Sequence, residues 1–110
     1  MQMNETYTAN APSRADVDTF DGLTLLEFGT AWCGHCSAAQ APLATALADY
    51  ELRHLKIEDG PGRPLGRSFR VKLWPTFILL RQGEELGRVT RPTSVAPIAD
   101  LLSKANGTPT

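Results

Sequence analysis

The chain has no run of like charge, since its eleven basic residues are interspersed with twelve acidic ones and the formal charge is −1. Without a basic stripe, neither nucleic acid nor an anionic membrane surface is an expected partner. Eighteen successive apolar residues are also lacking, and the N-terminal segment MQMNETYTANAPSR contains no apolar run of signal-peptide length. These absences predict a cytoplasmic protein that neither spans nor binds a membrane.

The chain is also too short for two domains of ordinary size, because it has 110 residues. We therefore predict a single domain over residues 1–110, with residues 1–12 and 106–110 flexible. Nothing in the composition indicates a repeat or an interdomain linker.

Cysteine is scarce, and both copies, Cys33 and Cys36, lie in the stretch AWCGHCSA. A secreted disulfide scaffold usually needs two to four bridges, so this class is excluded. Structural zinc generally needs four ligands, and only His35 and His54 could supplement the cysteines. We therefore predict no metal, with a zinc site or two structural core cysteines as the minor alternatives.

The remaining pattern predicts an α/β fold with a mixed four- to five-stranded sheet and helices on both faces. In chain order, the predicted elements are a short strand at 5–8, a helix within SRADVDTFDG that Ser13 caps and Gly22 stops, a strand LTLLEFG, a helix from Gly34 to about Tyr50, a strand at 52–57, a helical turn at 64–69, a hairpin of TFILL and ELGRVTR, and a helix SVAPIADLLSKA.

The two cysteines fall where a buried strand ends and a helix begins. Their i, i+3 spacing makes them neighbours on one helix face, so they can form a small disulfide ring. Cys33 would lie at the helix N-terminus, where free amides and the helix dipole stabilise a thiolate. Cys36 lies one turn further in and would attack second, on the mixed disulfide that Cys33 forms with a substrate.

The motif WCGHC after a buried strand resembles the active site of the thioredoxin superfamily, with the Gly-His dipeptide of protein disulfide isomerases. The resemblance spans roughly residues 13–105 and implies a thioredoxin-like fold. It includes Glu27, the acid six positions before the first cysteine, and Trp74-Pro75-Thr76, which matches the family's cis-proline segment.

The resemblance implies catalytic roles for four residues. Cys33 would attack, Cys36 would resolve, and Glu27 would carry a proton to or from Cys36. His35 would favour the Cys33 thiolate and make the disulfide less reducing than that of an ordinary thioredoxin. From the residues alone, Glu27 could instead be a solvated charge on an edge strand.

The implied substrate-binding residues are Trp32, Gly34, Trp74, Pro75 and Thr76. Trp32 would provide a flat apolar surface beside the disulfide, and the backbone around Trp74 would pair with an extended substrate segment. The alternative for Trp74 is a place in the core.

Several positions depart from the family pattern. A histidine, His35, stands where most thioredoxins have proline, and His54 occupies the place of a lysine near the buried acid, with Lys56 two residues on. His54 could equally be a surface strand residue. The helix proline, Pro42, follows Cys36 by six positions rather than five, and Trp74 is larger than the usual residue. These departures suggest a branch with its own partners.

The predicted function is that of a thiol-disulfide oxidoreductase that acts on protein disulfides without a bound cofactor, because the cysteines carry the electrons. The resemblance implies reduction by a thioredoxin reductase or by glutathione, and a monomeric enzyme. The alternatives are a disulfide oxidase or isomerase, and a redox-sensing or chaperone-like binding module in which the dithiol only modulates affinity.

Overall fold

The computed structural model describes residues 6–106. In chain order its elements are α1 (Arg14–Asp18), β1 (Leu23–Gly29), α2 (Gly34–Leu47), β2 (Arg53–Glu58), α3 (Pro64–Ser68), β3 (Thr76–Arg81), β4 (Glu84–Thr90), α4 (Val95–Ser103) and a final 3-10 turn, Lys104–Asn106.

The four strands form one mixed sheet in the order β2-β1-β3-β4. Strand β1 pairs in parallel with β2 and antiparallel with β3, so it has a partner on each side. This central place explains why the apolar run LTLLEFG is buried from Thr24 to Gly29. The predicted mixed sheet is confirmed.

Helices cover both faces of this sheet. On one face α2 and α4 pack over Leu25, Phe77 and Leu79. On the other face α1 and α3 pack over Leu26 and Phe28. Full burial of one such side chain contributes about 1.5–3 kcal/mol, so the two apolar layers hold β1 firmly in place. The end of β1 thereby becomes a rigid base for the CxxC turn.

Element ends differ from the prediction at several points. Helix α1 ends at Asp18 rather than at Gly22, because Thr19 caps it and donates a 2.7 Å hydrogen bond to the Asp16 carbonyl. Helix α2 continues through Pro42, as predicted, but ends at Leu47 instead of near Tyr50. Strand β2 begins and ends one residue later than the predicted 52–57.

The N-terminal segment meets the sheet through a single residue pair. Thr8 bridges in parallel to Ile57, with backbone hydrogen bonds of 2.8 Å to the Lys56 carbonyl and 2.9 Å from the Glu58 amide. The predicted strand at 5–8 is thus only a bridge within the described residues, and Glu5 lies outside them. The bridge fixes Tyr7 next to the CxxC segment.

The predicted flexible ends are residues 1–12 and 106–110. Of these, residues 1–5 and 107–110 lie outside the described residues. Within 6–106, no helix combines the length and apolar character that crossing a membrane requires.

Candidate active site

The two cysteines flank the first turn of α2. Cys33 is the N-cap residue, and its sulfur accepts a 3.3 Å hydrogen bond from the Cys36 amide. Both side chains are free thiols. Because the first amides of a helix have no partner within the helix, this geometry stabilises negative charge on the Cys33 sulfur. The predicted position of Cys33 at the helix start is confirmed.

Cys36 lies in a different environment, with only 1% of its surface exposed. Burial raises the pKa of Cys36 to about 11, and the hydrogen bond with the Cys33 side chain acts in the same direction. The Thr30 backbone and the Tyr7 side chain, which lie near the sulfur, act the other way and lower the pKa of Cys36. At neutral pH Cys36 is therefore a thiol that needs a base before it can attack.

An aromatic wall stands on the exposed side of Cys33. Trp32 is 76% exposed and meets Trp74 edge to face, with ring centroids 5.7 Å apart. The Trp74–Pro75 peptide bond is cis, as predicted, and the Cys33 thiol lies 4.0 Å from the Trp74 carbonyl oxygen. The Trp74 indole donates a 2.8 Å hydrogen bond to Asp59, so its ring is held at the site instead of in the core.

Three further predicted residues lie close to this wall. Gly34 opens α2 with no atom within 4 Å of a Cβ built on it, and His35 is exposed on the same turn. Thr76 is buried behind the cis bond, where its hydroxyl donates a 2.7 Å hydrogen bond to the Leu73 carbonyl. It therefore supports the segment from behind.

Behind Cys36, five side chains form a cluster that we call the buried polar cluster: Tyr7, Glu27, Gln40, His54 and Lys56. Its centre is Glu27, which is fully buried. One carboxylate oxygen, Oε2, accepts hydrogen bonds from Tyr7 at 2.7 Å and Gln40 at 2.8 Å. The other, Oε1, lies 2.9 Å from His54 Nε2. Glu27 is thus no solvated edge charge, and a carboxylate is tolerated there because each oxygen has a partner.

Lys56 connects this cluster to a cleft. Its ammonium donates a 2.9 Å hydrogen bond to Gln40 Oε1 and lies 4.6 Å from the centre of the Tyr7 ring. Gln40 in turn donates a 2.8 Å bond to the Cys36 carbonyl. The cleft has a volume of about 330 Å³, and its lining includes Cys36, Tyr7 and Lys56. The buried polar cluster therefore borders a cleft behind the resolving cysteine.

The parallel register explains why these side chains meet. Leu25 pairs with His54 and Glu27 with Lys56, so all four point to the face that α2 covers. His54 is buried beside Glu27, so the interpretation of His54 as a surface residue is wrong.

Sequence reasoning missed Tyr7, Gln40 and Asp59 as site residues. Tyr7 lies in a polar segment that gave no pattern, although it is one of only two tyrosines. Gln40 offered a usable signal, since it follows Cys36 by four residues on the same helix face. Asp59 reaches Trp74 from a loop, and no local spacing reveals such a contact.

A metal site was the alternative reading of the cysteine pair. Across residues 6–106 no three His, Cys, Asp or Glu side chains are grouped so that they could hold a metal ion. The geometry instead provides two thiols on neighbouring sides of one helical turn, one at the helix start and the other buried in front of the polar cluster.

Comparison with known proteins agrees with this interpretation of the cysteine pair. The thioredoxin family model matches residues 5–104. A solved structure of thioredoxin 2 from Pseudomonas aeruginosa in its reduced form is 55% identical, with a TM-score of 0.84 over 94% of this chain and 96% of that one.

Curated relatives are more distant in sequence. Thioredoxin H2-1 of Oryza sativa is 31% identical over 68 residues, which are 61% of this chain and 49% of that protein. A thioredoxin of Staphylococcus haemolyticus is 26% identical over 84% of this chain and 90% of its own length. The chain thus spans about half the length of the rice relative and most of the bacterial one.

Proposed function

This chain belongs to the thioredoxin family, and we propose that it reduces disulfide bonds in other proteins through Cys33 and Cys36. The proposal rests on one observation above all: the Cys33 sulfur lies at the start of α2 and faces the Trp74 carbonyl, while Cys36 is buried directly behind it. An extended substrate segment would approach the half-buried Cys33 thiol along the wall of Trp32 and Trp74.

The reaction would begin with the Cys33 thiolate attacking a substrate disulfide. A bond forms between Cys33 and one substrate sulfur, and the other substrate sulfur leaves as a thiolate that takes up a proton. Cys36 then loses its proton and attacks the Cys33 sulfur. The internal disulfide forms, the second substrate sulfur leaves, and two electrons have passed from the protein dithiol to the substrate.

Within this reaction Glu27 would receive the Cys36 proton. A carboxylate can act as a general base, and three hydrogen-bonding neighbours hold this one in position behind Cys36. His35, exposed on the first turn, would favour the Cys33 thiolate. Gly34, Pro75 and Thr76 would shape the substrate groove.

The wider setting follows from the same chemistry. The dithiol is regenerated by a thioredoxin reductase or by glutathione, and no bound cofactor takes part. We assign the protein to the cytoplasm, where two cysteines without a disulfide scaffold stay reduced. It acts as a monomer of one domain, because a single copy carries both thiols and the acid.

The decisive experiment replaces Cys36 by serine and offers a disulfide-bonded protein such as insulin. Cys33 should still attack, so the C36S variant accumulates a mixed disulfide that survives denaturing electrophoresis without reductant. C33S is the matched control and should capture nothing. If C36S binds the substrate without a covalent bond, the protein is a binding module and the proposal fails.

The direction of electron flow is tested by the reduction potential of the Cys33–Cys36 disulfide against glutathione buffers, followed by tryptophan fluorescence. A reductase requires a potential near the value of about −270 mV typical of thioredoxin. A potential near about −180 mV, as in protein disulfide isomerase, would show that His35 dominates and would favour oxidation or isomerisation instead.

A further inference from the structure

Tyr7 belongs to the buried polar cluster, but the reaction proposed above gives it no role. Its hydroxyl donates a 2.7 Å hydrogen bond to Glu27 Oε2. It also lies on the same side of Gly29 as the Cys36 sulfur, close enough for each group to influence the pKa of the other. The geometry around Gly29 shows that the Tyr7 hydroxyl and the Cys36 sulfur lie close together. A Cβ built there would lie 2.5 Å from the Cys36 sulfur and 2.8 Å from the Tyr7 oxygen. Sulfur and hydroxyl thus approach each other over a backbone that has no side chain.

The Cys36 proton can reach the Glu27 carboxylate, which should accept it, only through an intervening group. Among residues 6–106, the hydrogen bonds of Glu27 go to Tyr7, Gln40 and His54. Of these three neighbours, Gln40 contacts Cys36 only at its carbonyl oxygen. Tyr7 is the neighbour whose polar atom both bonds the carboxylate and lies next to the Cys36 sulfur over Gly29.

We propose that the Tyr7 hydroxyl is a catalytic proton relay between the Cys36 sulfur and Glu27 Oε2. The inference deepens the proposed function and rests on it. In the resolving step the Cys36 sulfur gives its proton to the Tyr7 oxygen, while the Tyr7 oxygen gives its own proton to Glu27. The phenol is neutral before and after, the sulfur becomes a thiolate, and the carboxylate becomes a carboxylic acid.

The charges around the hydroxyl suit this task. Burial raises the pKa of Tyr7 above its ordinary range, and the neighbouring Glu27 carboxylate, from β1, adds to the effect. Cys36 faces the hydroxyl from α2, and the Lys56 ammonium of β2 lies over the ring. The hydroxyl therefore stays protonated and ready to donate, and it passes a proton on without holding a charge.

The relay is tested with Tyr7→Phe, which removes only the hydroxyl, and with Tyr50→Phe as control, because Tyr50 is the other tyrosine and packs beside the core far from the thiols. The reduced protein is mixed in a stopped-flow instrument with one equivalent of 5,5′-dithiobis(2-nitrobenzoate). Attack by Cys33 releases the first thionitrobenzoate, and attack by Cys36 on the mixed disulfide releases the second.

We expect Tyr7→Phe to leave the first release unchanged and to slow the second by about 100-fold at pH 7, the lower end of typical general acid-base contributions. The deficit should shrink as the pH rises toward about 11, where the Cys36 thiolate forms without a relay. Tyr50→Phe should match the wild type in both releases. A purely structural role for the hydroxyl would not produce this dependence on pH.

A second release by Tyr7→Phe within twofold of the wild-type rate at pH 7 would overturn the relay while leaving the proposed function intact. A wild-type protein that never shows the second, concentration-independent release would overturn the proposed function, and the relay with it. Thermal unfolding of the reduced variants verifies that each protein is folded.

Discussion

The front and the back of the CxxC turn differ sharply, although they are three residues apart. In front, Cys33 lies at a helix start beside two indole rings, one of them largely exposed. Behind, Cys36 is 1% exposed and faces a buried carboxylate, a phenol and an amide. The two cysteines therefore differ chemically: Cys33 lies where a substrate can reach it, and Cys36 is a buried thiol whose pKa is raised.

In the proposed reaction, this difference would make the surroundings of the two sulfurs, and not the motif, set the order of attack. A helix N-terminus stabilises charge on one sulfur, while burial opposes charge on the other. Only the second sulfur would then need a base, and the register of β1 and β2 places Glu27 in the cluster behind it as the proposed one. The following variants test this division, beginning with the largest effect.

Cys33→Ser should break the front side completely. Without its nucleophile the protein should lose insulin-reducing turnover by more than about 1,000-fold, as expected when a covalent catalyst is removed. The turbidity of reduced insulin measures this loss. Cys36→Ser, in comparison, should keep the first attack. Equal loss of that first attack in both variants would contradict the assignment of the first attack to Cys33 alone.

Glu27→Gln should disable the back side alone. The amide keeps the size of the carboxyl group but cannot accept a proton, so the second release in the stopped-flow assay should slow by about 100-fold or more at pH 7. Because burial raises the pKa of Cys36 to about 11, the deficit should fade near that pH. Glu84→Gln, at the exposed start of β4, is the control. An unaffected second release would exclude Glu27 as the base.

Gly29→Ala and Gly34→Ala together compare the steric room behind the CxxC turn with the room in front of it. In Gly29→Ala the new Cβ would meet the Cys36 sulfur and the Tyr7 hydroxyl, so we expect unfolding to become easier by about 1–3 kcal/mol, as in other overpacked interiors. Gly34→Ala, on the open side, has no atom within 4 Å and should cost less than about 0.5 kcal/mol. Urea unfolding of the reduced proteins measures both. Similar values would contradict the close contact at Gly29.

Trp74→Phe is the mildest change and concerns the front only. It removes the indole hydrogen bond to Asp59, which should cost about 1 kcal/mol of positioning and raise KM for insulin about fivefold. The ratio of second-release rates at pH 7 and pH 9 should not change. A shift in that ratio would mean that the front wall also controls the resolving step.

The front of the site was predictable from the sequence because its signals are local. The CxxC spacing and the strand before it lie within a few residues of each other, and the structure contains the helix start that they predict. The cis bond before Pro75 was expected from the family resemblance, and the structure contains it as well. The two apolar layers were equally readable from periodicity.

The back of the site was only half predictable. Glu27 and His54 were identified through the family pattern, but their 2.9 Å contact depends on strand register, which no short spacing encodes. Tyr7 is twenty residues from Glu27 and reaches it only because Thr8 bridges to Ile57. Such a contact is created by tertiary packing and leaves no pattern in one sequence.

The most direct test of the division between the two thiols is residue-resolved alkylation of the reduced protein. Iodoacetamide is applied in brief pulses from pH 6 to pH 11, and peptide mass spectrometry follows each cysteine. We predict that modification of Cys36 rises only as the pH approaches about 11, and that Cys33, whose sulfur lies at the helix start, is modified faster than Cys36 below that pH. Equal modification of both cysteines at pH 7, or earlier modification of Cys36, would contradict the account.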